Sequence, residues 1–300
     1  MFVLRPLYEA FSDLSFEPWR IPDAHSPWNW TKETHDIVRN SIATTRPDGS
    51  KPCEKLNVLV IGPKAHGKSS FLNAVASISL NERTTVCNAG GAVVDPENVT
   101  TVYKQINFLG DFKGFRLCDV RGLTKEQRAS ENFLQDLKML IEGRIKPQYT
   151  FDTAKPIADD DPYYNKTPTV SDMMHCVIIL FDITEAYEVH SSHQADIKNI
   201  MKELNKTNVP VSVILTKADM LDPSVRRNID NIYHSRKVLR AVETAERSLR
   251  VPKKDIHPVV NFENEIRFEW RTSLPLLAAL KSCVSRARSH FYNDSRLQRD

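Results

Sequence analysis

The stretch NVLVIGPKAHGKSSFLNAV, running from Asn57 to Val75, constrains the fold of this 300-residue chain more than any other. A run of apolar, β-branched residues ends at Gly62, Gly67-Lys68-Ser69 follows five positions later, and an apolar-periodic segment comes next. The octet Gly62-Pro63-Lys64-Ala65-His66-Gly67-Lys68-Ser69 satisfies G-x-x-x-x-G-K-[ST] between a predicted strand and a predicted helix, which is the context this motif needs. Loop N–H groups and the positive end of the helix then face an anion. Gly62, Lys64, Ala65, His66, Gly67 and Lys68 form a candidate phosphate cradle. Lys68 supplies a point charge to the β- and γ-phosphates, the Ser69 hydroxyl is a Mg²⁺ ligand, and Ser70 is a neighbour without an assigned role. Pro63 lacks a backbone donor. Lys64 reads as a solvent-facing residue, and His66 as a packing or surface residue rather than a base.

Downstream, FRLCDVRG places Asp119 near the end of an apolar strand, three residues before Gly122. In P-loop proteins this Asp-x-x-Gly arrangement brings a carboxylate to the Mg²⁺ shell and a Gly amide to the γ-phosphate. VSVILTKADML then ends a further strand in Thr216-Lys217-Ala218-Asp219. A carboxylate at Asp219 accepts two hydrogen bonds from the N–H edge of guanine, which adenine cannot donate, and the Lys217 stem covers the base. The expected ligands are therefore GTP or GDP with Mg²⁺. Thr216 stands where Asn is common, so weaker bracing of the loop is expected. A threonine sensing the γ-phosphate is expected before Asp119. Thr100 is preferred, with Thr101, Thr84 and Thr85 as competitors. Asn261, in PVVNFENE, is assigned to the guanine-capping loop.

Many GTPases carry a water-orienting Gln after the Asp-x-x-Gly glycine. Here that residue is Leu123, whose aliphatic side chain cannot hold water, so slow hydrolysis is expected. Arg121, Lys64 and His66 are the substitutes available within the chain, and a partner could supply one from outside.

The rest of the chain is consistent with an α/β fold. Strand-like runs at NVLVI, VYKQINF, FRLCDV, HCVIILFDI, PVSVILT and HPVV alternate with helical patterns at 69–79, 130–143, 193–204, 225–249 and 273–292. Three of the strands are nearly continuous apolar runs, as strands covered on both faces tend to be. The expected class is a P-loop NTPase of the Ras-like G-domain type, with a mostly parallel central sheet, helices on both faces and an antiparallel edge strand from the hairpin VYKQINF and FRLCDV. Residues 1–52, with Trp19, Trp28 and Trp30, read as an arm packing on the main domain, and Thr31 is a plausible N-cap for a short helix within it. Residues 53–292 form the G domain, with a long surface insertion at about 145–170, and 293–300 form a tail.

Composition bounds the function. Hydrophobic residues make up 41% of the chain, and the formal charge of +3 is too near balance to indicate a nucleic-acid binder. Five scattered cysteines without a Cys-x-x-Cys pair point to reduced thiols and a cytoplasmic protein. No apolar run reaches the length of a bilayer span. The C-terminal helix LPLLAALKSCVSRARSHFY, apolar on one face and basic in its second half, reads first as a core helix.

With these residues assembled, the chain resembles the interferon-induced protein 44 family of GTPase-like proteins. The resemblance rests on PWRIP, WTKETHDIVRNSI, NVLVIGPKAHGKSSFLN, LCDVRGL, EGRIKPQYTFD, SDMMHCVIILFD and VILTKADMLDP, and covers about residues 17–292. It implies a cytoplasmic GTP-binding protein connected with innate, antiviral-type responses, and carries over Gly62, Gly67, Lys68, Ser69, Asp119 and Gly122. Relatives often carry an additional N-terminal domain, so the resemblance implies that this chain corresponds to the GTPase part alone. Lys64 and His66 depart from the small residues usual in the family. The leading expectation is a guanine-nucleotide switch, with unnamed protein partners or a homodimer. The competing one is a catalytically inactive interaction scaffold.

Overall fold

Alternating faces of a buried sheet organise the molecule. The computed structural model describes residues 14, 17–20, 30–47, 53–86, 101–120, 129–152, 154–187, 192–261 and 269–293. Strand β1 (Leu56–Ile61) is buried at every position. Leu59 and Ile61 face one layer, and Leu56, Val58 and Val60 the other. Continuous apolarity follows from this, because a strand covered on both faces has no solvent side for polar residues.

The seven strands are β1, β2 (Thr101–Ile106), β3 (Phe115–Val120), β4 (Thr150–Phe151), β5 (Cys176–Asp182), β6 (Val211–Thr216) and β7 (Ile256–Pro258), in the spatial order β4-β2-β3-β1-β5-β6-β7. Strands β3, β1, β5, β6 and β7 are mutually parallel, whereas β2 runs antiparallel to β3. Helices α3 (Glu131–Ile141), α5 (Ser192–Leu204) and α8 (Arg236–Leu249) cover one face. Helices α1 (Lys32–Ala43), α2 (Lys68–Leu80) and α9 (Trp270–Asn293) cover the other. In α8 the buried residues Val238, Ala241, Val242, Ala245 and Leu249 recur at helical spacing and make one stripe. This is a P-loop G-domain fold with one added edge strand. Its parallel strands all end at one rim, and the chain crosses from the β3 side of β1 to the β5 side there, which is where open α/β sheets bind ligands.

Three sequence expectations change. The hairpin strand β2 is not the sheet edge, because β4 pairs antiparallel with it through Thr101–Phe151 and Val102–Thr150. The stretch at 145–170 is correspondingly more than a surface insertion. Ile145, Tyr149 and Phe151 are buried, and the fully buried Asp136 of α3 accepts hydrogen bonds from Tyr149 Oη (3.0 Å) and the Ile157 amide (2.7 Å). The helix expected over 225–249 is broken into α7 (Pro223–Arg227), a 3₁₀ turn at Ile229–Tyr233, and α8. Asn228 is extended and caps the 3₁₀ turn, and Ser235 caps α8 while donating to the buried Asp222 carboxylate, so local side-chain caps win over helix propagation.

The arm contributes to the same core. Trp19 and Trp30 pack on Tyr233 with ring centroids 5.7 and 6.1 Å apart, and the Arg20 guanidinium donates to the carbonyls of Ile256 and Lys253. Thr31 caps α1, accepting from the Thr34 amide at 3.1 Å. Trp28 lies outside the described residues. Among the described residues no helix is long and apolar enough to cross a membrane.

Candidate functional site

The loop 62–67 turns at the C-terminal end of β1. Gly62 is required there, because a Cβ would stand 2.2 Å from the Leu180 carbonyl oxygen of β5. Two later loop residues are left-handed, Ala65 at φ 66° and Gly67 at φ 86°, and Gly67 precedes the first turn of α2. Helix formation begins at once, with the Phe71 amide donating to the Gly67 carbonyl at 2.8 Å. The free N–H groups of this helix start therefore open toward the sheet rim.

Lys68 is buried, with its ammonium 3.0 Å from Asp119 Oδ1 on β3. That oxygen meets the distance but not the geometry of a hydrogen bond, so the contact is coulombic. Ser69 follows in the first turn, half-buried. A carboxylate oxygen without a hydrogen bond and a hydroxyl in the first turn of α2 are hard oxygen donors of the kind Mg²⁺ takes, so Ser69 and Asp119 fit that ion. Lys64 is exposed at the loop tip. Thr100, Arg121, Gly122 and Leu123 lie outside the described residues, whereas Thr84 is tied to Ser77 at the end of α2, its amide donating to the hydroxyl at 3.0 Å.

From the other side of the rim, three consecutive loop carbonyls each accept one hydrogen bond. Lys217 Nζ donates to Ala65 at 2.9 Å, Thr216 Oγ1 to His66 at 2.8 Å, and Asn261 Nδ2 to Gly67 at 3.1 Å. Thr216, where weaker bracing is expected than from Asn, contributes one close hydrogen bond to the loop, to the His66 carbonyl. Asn261, assigned to the guanine-capping loop, donates to the Gly67 carbonyl of the cradle. Lys217 is itself left-handed at φ 61° and holds Asp182 Oδ2 at 2.8 Å. Burial raises the Asp182 carboxyl, but hydrogen bonds from Lys217 and Thr184 together hold it below the usual carboxylate range. Asp219 is half-buried in the first turn of a short helix, α6 (Ala218–Leu221).

The His66 side chain turns away from the cradle. It is buried, stacks on Phe181 with centroids 5.1 Å apart, and its Nδ1 accepts from the Asp182 amide at 3.0 Å. The proton of the neutral ring then sits on Nε2, which faces Glu185 Oε1 at 3.3 Å, while Glu185 Oε2 meets His193 Nδ1 at 2.9 Å. His66, Glu185 and His193 offer ligand atoms within 4.8 Å of one another. The His66 tautomer nevertheless removes the lone pair a metal would need, so the trio reads as a carboxylate bridging two imidazoles. Burial pushes His66 down to about 4. Asp182, Glu185 and His193 escaped the sequence reading. The one available signal was Asp182 at the end of an apolar strand on the binding rim.

A cavity of about 250 Å³ lies at the opposite end of the sheet, lined by Leu137, Met174, Leu204, Val209 and His290, and takes no part in this site.

No family model matches the chain. Interferon-induced protein 44 from Mus musculus is 29% identical over 255 residues, 83% of this chain and 58% of the relative. Human interferon-induced protein 44-like is 27% identical over 250 residues, 81% of this chain and 54% of the relative. The chain is thus similar to the interferon-induced protein 44 proteins. It spans somewhat over half the length of these curated relatives. Among solved structures, a probable GTP-binding protein shares 13% identity at a TM-score of 0.45, covering 78% of this chain and 98% of its own. Toc33 from Arabidopsis thaliana, in complex with Mg²⁺ and GMPPNP, shares 14% at 0.47, covering 87% and 98%. The interferon-induced protein 44 likeness spans most of the described domain.

Proposed function

We propose that this chain is a guanine-nucleotide-binding switch with slow intrinsic GTP hydrolysis, working in the cytoplasm in an interferon-linked, innate immune response. One observation carries the nucleotide reading. Lys68, Asp119, Lys217 and Asp219 converge on the rim where five parallel strands end, with the P-loop between them. Lys68 and the α2 amides would hold the phosphates, Ser69 and Asp119 would hold Mg²⁺, and Asp219 would take the N–H edge of guanine. Mg²⁺ supplies charge neutralisation for the phosphates when bound. The names of the interferon-induced protein 44 relatives support the immune context, and Leu123 in place of a water-orienting Gln supports slow turnover.

A second reading, an interaction scaffold without catalysis, draws on the Lys68–Asp119 and Lys217–Asp182 pairs, which neutralise the site's own charges. Titration of the purified chain with GTP, GDP and ATP in Mg²⁺ separates the two. The switch requires Mg²⁺-dependent GTP binding that Lys68→Ala abolishes and a guanine preference that Asp219→Asn removes. Absence of binding by any nucleotide establishes the scaffold, and single-turnover cleavage as fast as an assisted GTPase contradicts slow hydrolysis.

A further inference from the structure

We infer that Asn261 is a positioning residue that ties the phosphate cradle to the base-recognition side of the site, taking over the bracing that an asparagine at position 216 would otherwise provide. The inference deepens the guanine-nucleotide reading and rests on it for the effect on affinity, though not for the effect on the loop.

The loop changes direction through two left-handed residues, Ala65 and Gly67, with His66 between them. Left-handed backbone costs about 1–2 kcal/mol for a residue with a Cβ, so the conformation persists only where its surroundings impose it. The imposed contacts are the three carbonyl hydrogen bonds from Lys217, Thr216 and Asn261. Fixing these carbonyls toward the β6 and β7 side fixes the orientation of the peptide units they belong to, and so which way the following N–H groups face. In a phosphate cradle those N–H groups are the binding surface.

The three donors are not equivalent. Lys217 is shared with Asp182, and Thr216 reaches only the His66 carbonyl closely. The Gly67 carbonyl is the last before Lys68 and also accepts the first helical hydrogen bond of α2, so Asn261 acts at the junction of loop and helix. The contact is tight: a Cβ on Gly67 would stand 3.0 Å from Asn261 Nδ2 and 3.3 Å from Thr216 Oγ1. Asn261 is buried and lies three residues beyond β7, which pairs with β6; the backbone of the intervening Val259 is hydrogen-bonded to Leu215 and Ala218 on either side of Thr216, which holds Asn261 near the loop. A threonine hydroxyl offers one donor, whereas an amide offers two. With threonine at 216, the remaining carbonyl is met by an amide from the next strand.

The test uses Asn261→Ala, Thr216→Asn and the double variant, each checked for an unchanged fold by thermal unfolding. Hydrogen exchange on the nucleotide-free protein reads the loop directly. Asn261→Ala is expected to raise exchange at the Phe71 amide, which donates to the same Gly67 carbonyl, and Thr216→Asn in the same chain to lower it again. Titration with a non-hydrolysable GTP analogue in Mg²⁺ is expected to show about a tenfold loss for Asn261→Ala, the equivalent of one hydrogen bond of about 1.4 kcal/mol, with partial recovery in the double variant. Unchanged exchange in Asn261→Ala, or a double variant no better than the single, overturns the inference. If wild-type protein binds no guanine nucleotide while the exchange pattern holds, the nucleotide reading fails and the positioning role stands.

Discussion

At the residue scale, the cradle contains a pair of opposite expectations. Ala65 and Gly67 share the left-handed conformation, but only one of them is glycine. Ala65→Gly relieves the steric cost of a Cβ there while adding unfolded-chain entropy, so its stability is expected to lie between unchanged and about 1 kcal/mol higher. Gly67→Ala adds that steric cost and places a methyl against Asn261 and Thr216, so a loss of about 1–2 kcal/mol or more is expected. Urea unfolding of the two variants side by side measures both. Equal effects of the same sign would contradict the left-handed assignment of one of them. Lys68, Asp119 and Asp219 were placed from the sequence because each occupies a fixed offset in a motif at a strand or helix end. The sequence placed Thr216 and Asn261 near the site but not their hydrogen bonds to the His66 and Gly67 carbonyls, because whether a donor reaches a carbonyl depends on tertiary spacing that no local pattern encodes.

At the element scale, the segment after α3 is bound to the sheet rather than draped over it. Backbone hydrogen bonds join Tyr103 and Tyr149 (2.9 Å), and Gln148 and Tyr103 (2.9 Å), making β4 a true edge strand. Tyr149 Oη also satisfies one oxygen of Asp136, a carboxylate with no solvent contact whose pKa burial raises. Tyr149→Phe leaves that buried oxygen without its donor, and a loss of about 1–3 kcal/mol is expected. Hydrogen exchange localises the effect, with faster exchange expected at the Tyr103 amide and little change in β5 and β6. Uniform loosening across all strands would show that β4 is not a separable edge unit. Aromatic and acidic residues without periodicity left no sign of this packing in the sequence, because a two-residue strand has no period to read. Helix α8 and its neighbours follow the same logic. The apolar spacing was legible, but the break before Ser235 depends on its hydroxyl capping α8 through the Val238 amide while donating to the distant Asp222 carboxylate.

At the scale of the whole molecule, buried neutral imidazoles make stability sensitive to acid, His66 and His257 most strongly. Burial pushes His66 down to about 4 and His257 down to about 3, the latter helped by the nearby Arg20 and Arg286 charges. In the unfolded chain both titrate near 6.5. Between that value and the folded one, the unfolded state binds a proton that the folded state refuses, so acidification favours unfolding. Stability is therefore expected to be fully present above about 6.5 and to fall as pH drops, with each histidine contributing about 1.4 kcal/mol per pH unit until its folded value is reached. Urea unfolding from pH 7.5 to pH 4.5 gives the slope, and His66→Gln should flatten it. An unchanged slope would mean that His66 is not held neutral by the fold.

The sequence by itself determined the class of fold, the position of the phosphate loop and the order of the nucleotide motifs. Each of these is written in short-range terms: apolar runs of strand length, a Gly-Lys-Ser at a strand-to-helix junction, and carboxylates at strand ends. Only the tertiary structure decided what holds the loop in shape, where the His66 ring points and which strand forms the sheet edge. Those outcomes depend on residues as far apart as Gly67 and Asn261, or Asp136 and Tyr149, meeting at hydrogen-bond distance. Such meetings are set by the register of parallel strands and by the need to satisfy every buried polar group, conditions imposed by the packed whole rather than by any stretch of the chain.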